Sequence, residues 1–218
     1  MSEREHETAL LIDFGGVLTT PVWDSFAAFC RLNGLEEGAV RRLFREDPEA
    51  LAELRLLETG GISEEDFERS FGARLGLGDP SGLIDSMFAG MVPLERMTAA
   101  VEAARRAGVP TGLVSNSWSL DHYDRDLFAR LFDTVVISAE VGLHKPQPGI
   151  YLLAAERVGR PAASCVFVDD LRENCAGAEA VGMRAILHRD PSETIGRLEE
   201  VLAVRLEGGD RRGWARPG

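Results

Sequence analysis

An open parallel α/β sheet, interrupted after its first strand by a helical insertion, is the fold this sequence predicts, and three observations carry it. Four short runs rich in Val, Ile and Leu stand out, Ala9–Ile12, Gly112–Val114, Val135–Ile137 and Cys165–Val168, with a weaker fifth at Ala185–Leu187. Each is too short for a helix, and unbroken apolar runs of this length are how parallel strands read when both faces are buried. Segments of helical period lie between them, the alternation expected of βα units. Between about Thr20 and Pro93 that alternation stops, and amphipathic helices follow one another with no convincing strand.

The helices that accompany the strands are expected at Leu94–Ala107, Leu120–Leu131, Pro148–Val158, Arg172–Val181 and Ser192–Arg205. Gly108, Gly159 and Gly182 each follow such a segment, where a left-handed cap is wanted. Within the insertion, Trp23–Leu32 ends at Asn33-Gly34 and Pro48–Leu57 ends near Gly60-Gly61. Ser63 opens a capping box closed by Asp66, ahead of Phe67, Phe71 and Leu75. The chain thus divides into a core of residues 1–19 and 94–207, a helical insertion of residues 20–93, and a polar tail from 208 to 218 that is expected to fray.

Charge narrows the range of functions. With 24 basic against 36 acidic residues the net charge is −12, which excludes general affinity for nucleic acid or an anionic membrane. An anionic ligand must therefore be bound locally. The charged N-terminal stretch lacks the apolar core of an export signal, and no run approaches membrane-spanning length, so the cytoplasm is the expected compartment. Cys30, Cys165 and Cys175 lack metal-type spacing and read as buried free thiols.

In an open parallel sheet ligands bind beyond the carboxyl ends of the strands. The residues leaving those ends form a coherent set: Asp13 from the first strand, Ser115 and Asn116 from the second, Lys145 from the loop before Pro148, and Asp169-Asp170 from the fourth, with Asn174 four residues on. Carboxylates, a lysine and a hydroxyl are what magnesium-assisted phosphoryl transfer requires: a nucleophile, ligands for a hard cation, and donors for phosphate oxygens. Each residue also has a plainer reading. An Asp before Gly-Gly can be a turn former, and Asp-Asp can cap the helix from Arg172. Trp23, Phe26 and Trp118 read first as core of the insertion, with a pocket lining as the alternative. His122 and His144 could move protons, although isolated loop histidines are mostly solvated.

The motifs IDFGGVLT, GLVSNS, HKPQPGIY and VFVDDLRENCAGAEAVGM, in this order, resemble the four motif regions of the haloacid dehalogenase superfamily of hydrolases, over roughly Leu10 to Leu187. The resemblance implies a Rossmann-like three-layer core with a type 1 helical cap. It implies that Asp13 is a nucleophile forming an aspartyl-phosphate, that Ser115 and the Asn116 amide hold the phosphoryl oxygens, and that Lys145 neutralises their charge. Magnesium would be bound by Asp13, the Gly15 carbonyl and Asp170, with Asp169 as a direct or water-mediated ligand and Asn174 organising them. The substrate would be a small phosphorylated metabolite.

The chain departs from the family at Gly15, where phosphatases usually carry a second aspartate that protonates the leaving oxygen. Losing a positioned acid forfeits on the order of a hundred- to ten-thousand-fold in rate, which points to slow turnover or to activated esters such as sugar 1-phosphates or acyl phosphates. A 2-haloacid dehalogenase also lacks that aspartate, and a binding protein with a vestigial site would tolerate its loss. Asp169-Asp170 weighs against the first, since dehalogenation needs no metal. The joint presence of nucleophile, lysine and carboxylates weighs against the second.

Overall fold

The computed structural model of the protein describes residues 6–118 and 125–206. Five strands, β1 (Ala9–Ile12), β2 (Thr111–Ser115), β3 (Thr134–Ile137), β4 (Cys165–Asp169) and β5 (Arg184–Leu187), pair in parallel in the order β3-β2-β1-β4-β5. Ile12 lies opposite Leu113 on one side and Val168 on the other, so β1 occupies the centre of the sheet.

Alternation of side chains along each strand sends consecutive residues to opposite faces, and both faces are covered. Leu10 and Ile12 pack with Leu113, Val166 and Val168 against α6 (Glu95–Arg106), α7 (Arg125–Leu131) and α11 (Pro191–Leu202). Ala9 and Leu11 pack with Val114, Val136 and Phe167 against α9 (Pro148–Arg157) and α10 (Arg172–Ala180). Fully burying one such aliphatic side chain contributes about 1.5–3 kcal/mol, which is why these short runs suffice to set the layers. All five expected strands are present. So are the expected helices, although the start of the Leu120–Leu131 segment lies outside the described residues, as does His122. Cys30, Cys165 and Cys175 are free and buried. Among the described residues, no helix is long and apolar enough to cross a membrane.

Between β1 and α6 stand five helices: α1 (Val22–Leu32), α2 (Ala39–Glu46), α3 (Pro48–Glu58), α4 (Glu64–Leu75) and α5 (Leu83–Phe88). Two of them, α2 and α5, are not apparent in the sequence, nor is the single-turn α8 (Ser138–Val141) after β3. Local chemistry sets the ends of the others. The Asp47 carboxylate accepts from the amides of Glu49 and Ala50 with Pro48 at the first helical position, and Ser63 Oγ accepts from the Asp66 amide. The five helices share a hydrophobic cluster of their own, built around Phe26, Phe44, Phe67, Phe71 and Met87. The chain enters and leaves this layer side by side: Thr19 bridges Pro93 antiparallel, the Thr20 amide donates to the Val92 carbonyl at 2.8 Å, and the Leu94 amide donates to the Leu18 carbonyl at 2.8 Å.

Phe71 stacks on Phe44 at 4.7 Å and on Phe67 at 5.1 Å between centroids, fully buried. Phe71→Ala should destabilise the protein by about 3–5 kcal/mol, read as a lower urea midpoint; an unchanged midpoint would mean that this cluster does not hold the helices together.

Candidate active site

The strand order reverses at β1, and the crevice beyond the carboxyl ends of β1 and β4 is where such a sheet receives ligands. Asp13 is the first residue past β1, and its amide still donates to the Val168 carbonyl at 2.9 Å, which ties it to β4. Lys145 arrives on the loop before α9. Its ammonium is buried between two carboxylates, 2.7 Å from Asp13 Oδ1 and 2.8 Å from Asp169 Oδ2. The loop is fixed by a reciprocal pair of hydrogen bonds: the Lys145 amide donates to Asn116 Oδ1 at 2.8 Å, and Asn116 Nδ2 donates to the Lys145 carbonyl at 3.1 Å. Ser115 is buried at the end of β2, and the neighbouring Ser117 amide donates to Ser138 Oγ at 3.0 Å.

The two adjacent aspartates do different work. Asp169, the last residue of β4, is fully buried, and its Oδ1 accepts from the Leu171 amide at 2.8 Å and from Asn174 Nδ2 at 3.0 Å. Its Oδ2 accepts from Lys145 and again from Asn174. Asp170 is partly open and faces Gly16, where an added Cβ would lie 2.4 Å from Asp170 Oδ2. Gly16 also has φ +75°, so both the backbone and the approach of Asp170 require glycine there. Gly15 is different. Its φ is not in the left-handed region, and a Cβ there would lie 2.8 Å from Cγ2 of Val22 in α1, so Val22 would have to shift to admit a side chain.

Oxygens of Asp13, Asp169 and Asp170 lie within 4.8 Å of one another. Three carboxylates against one ammonium leave two negative charges in a buried place, and an all-oxygen donor set of this kind suits a hard dication. Burial pushes the Asp13 carboxyl up to about 8, with Lys145 opposing the shift and Asp169 and Asp170 adding to it. Burial, then the Asp169 charge, raises Asp170 to about 6. Burial alone would lower Lys145, but Asp13 and Asp169 outweigh it and hold the ammonium above its ordinary range.

These polar groups form one end of a cavity of about 520 Å³ whose remaining wall comes largely from the inserted helices, including Trp23, Phe26, Phe44, Leu51 and Phe88. Trp118, from the loop after β2, reaches into that wall, its ring 5.2–5.7 Å from those of Phe26, Phe44, Phe67 and Phe88. Trp23, Phe26 and Trp118 therefore line the cavity while packing with the insertion's core. His144 does not line it; its Nδ1 lies 2.9 Å from the Lys145 carbonyl. Among the described residues, Glu58, at the end of α3, is the titratable lining residue that the sequence did not single out. Its carboxylate accepts from the Trp118 indole, and burial raises it to about 7.

A parallel sheet that gathers aspartates and one buried lysine at its switch point places the protein among the Rossmann-like α/β folds with a ligand site at the strand ends. The chain belongs to the haloacid dehalogenase-like hydrolases, whose family model matches residues 7–182. It is 34% identical over 192 residues to a phosphatase of Mycobacterium tuberculosis, covering 83% of this chain and 86% of that protein. It is 28% identical over 207 residues to a sesquiterpene phosphatase of Aspergillus oryzae, covering 89% and 96%. Other curated relatives are longer, and the chain spans about a fifth of their length. Among solved structures, a haloacid dehalogenase family enzyme of Bacteroides thetaiotaomicron, in complex with magnesium and inorganic phosphate, shares the fold with a TM-score of 0.65 at 20% identity, covering 86% of this chain and 98% of that one.

The raised carboxyls make a stability prediction for protein freed of divalent cations. An acid whose folded pKa lies above its unfolded value near 4 contributes stability that is present below pH 4 and lost as pH rises through the folded pKa. For Asp170 that window is about pH 4 to 6. In chelator, Asp170→Asn should therefore gain on the parent by on the order of 1–3 kcal/mol between pH 4 and 8, measured by urea unfolding. A stability difference that is flat with pH would show that Asp170 carries no such burden.

Proposed function

We propose that this protein is a magnesium-dependent phosphatase that cleaves a small phosphorylated metabolite through an aspartyl-phosphate on Asp13. The observation that carries the reading is the Lys145 ammonium clamped between Asp13 and Asp169, because it holds a carboxylate at one end of the cavity while limiting its rotation. An Asp13 oxygen attacks phosphorus as the ester bond breaks, and water then hydrolyses the acyl-phosphate. Ser115 and the Asn116 amide hold the phosphoryl oxygens, and Lys145 offsets charge on the nucleophile and the group in transfer. Asp169, with both oxygens engaged, orients Lys145, and Asn174 orients Asp169. Asp13, Asp170 and the Gly15 carbonyl would hold magnesium, which when bound supplies positive charge where an anionic ester must approach carboxylates.

The inserted helices act as a cap, screening the reaction from water and choosing the organic part of the substrate. Their wall is aromatic and aliphatic, so that part is apolar. Such a wall leaves a sugar's hydroxyls largely unmatched, and the expectation of a sugar 1-phosphate gives way to the phosphate of an apolar alcohol. The relative named as a sesquiterpene phosphatase supports this choice.

Asp13→Asn should abolish turnover of phosphate esters, to below about a thousandth of the parent, with circular dichroism unchanged. Hydrolysis by this variant at the parent rate would remove Asp13 from the mechanism. Chelation should stop the parent and magnesium restore it; full activity in chelator with halide released from a 2-haloacid would decide for dehalogenation instead.

A further inference from the structure

The leaving oxygen of an unactivated phosphate ester needs a proton, and the position two residues after Asp13 has none to give. Gly15 carries no side chain, and the space beside it is occupied by Val22 of the inserted helices. The proton must come from another wall of the cavity. Among the described residues, four titratable side chains line it: Asp13, Lys145, Asp170 and Glu58. On the phosphatase reading, on which this inference rests, the first three are committed to attack, charge neutralisation and the metal.

We propose that Glu58 is the acid and base of this site, a catalytic group supplied by the cap in place of the one missing from the core. In the first half-reaction an Asp13 oxygen bonds to phosphorus and the bond from phosphorus to the organic oxygen breaks. The electron pair stays on that oxygen, and the Glu58 proton neutralises it as the alcohol leaves. In the second, a water oxygen bonds to phosphorus, the bond to Asp13 breaks back to a carboxylate, and a proton of that water restores Glu58. The products are the alcohol and inorganic phosphate.

The position suits the task. Glu58 ends α3 where that helix meets α8 of the core, and a Cβ on Gly60, two residues on, would lie 3.2 Å from the Ala139 carbonyl. Its carboxylate is oriented by the indole N–H of Trp118, three residues past Ser115 on the loop leaving β2. Aromatic and aliphatic side chains make up most of the wall around it. That burial lifts the carboxyl to about 7 against the Trp118 hydrogen bond and the charges of Lys145, from the core, and Arg55, from its own helix; the Asp13 and Asp170 carboxyls share the cavity. A group that gives a proton in one half-reaction and takes one in the next needs both forms populated near neutrality.

Glu58→Gln is the test, because glutamine keeps an acceptor for the Trp118 indole while removing the titratable proton. With magnesium present, kcat/KM is measured across substituted phenyl phosphates and one alkyl phosphate, from pH 5 to 9. The parent should show a shallow dependence on leaving-group pKa and a basic limb near pH 7. The variant should lose the limb and steepen the dependence, with the alkyl ester falling on the order of a hundred- to ten-thousand-fold and the nitrophenyl ester less than about tenfold. An active parent matched by the variant in slope and limb overturns the role of Glu58 alone. A loss equal for every leaving group makes Glu58 a structural anchor for Trp118 and overturns it too. A parent inert towards every ester overturns the phosphatase reading itself, and this role with it.

Discussion

A buried ammonium shared by two carboxylates organises everything else at the carboxyl end of the sheet. Lys145 lies within 2.8 Å of both Asp13 and Asp169. Removing the lysine would leave two buried carboxylates without their cation, at a cost of about 3–5 kcal/mol. The surroundings can be understood as what this triad needs. Asn116 pins the backbone that carries the lysine, Asn174 and the Leu171 amide satisfy the remaining lone pairs of Asp169, and the Tyr151 hydroxyl donates to the Asn174 carbonyl at 2.8 Å. Tyr151 in turn is fully buried against Phe167 of β4, so the polar cluster is continuous with the packing of the sheet.

Much of this was legible in the sequence, for a physical reason. Strands buried on both faces must be apolar throughout, so the first polar residue after each run marks the crevice: Asp13 after Ile12, Ser115 after Val114, Asp169 after Val168. The resemblance set Asp170 apart as the more direct metal ligand, but the inward pairing of Asp169 with Lys145 was not legible. Neighbouring residues at a strand end turn to opposite sides, and only the three-dimensional partners show that one carboxylate is spent inward on Lys145 while the other faces Gly16. Nor did the sequence tell the two glycines apart: Gly16 has the positive φ, whereas a side chain at Gly15 would meet Val22.

The inserted helices were harder to read because their helix signals are local and their packing is not. The two missed helices are short, and α5 has only six residues. Glu58 had no signal at all: it is one of many glutamates along these helices, set apart only by what folding puts around it. Trp118 shows the same limit from the other side. It follows a core motif, yet its ring belongs to the aromatic cluster of the insertion, so the loop leaving β2 and the wall of the inserted helices are joined through one side chain.

The crossing at Thr19 and Pro93 has a consequence for how such a molecule can be inherited. Leu18 and Leu94 are already hydrogen-bonded across it, so a short turn could join them and close the sheet without the 75 or so residues between. The core keeps Asp13, Lys145, Asp169 and Asp170 whatever is spliced in at this point. If the proton of the reaction travels with the spliced part, as Glu58 would have it, exchanging that part changes more than the choice of alcohol. It changes which half of the molecule owns the catalytic cycle, and a core that has lost its own acid becomes dependent on the lineage of its lid.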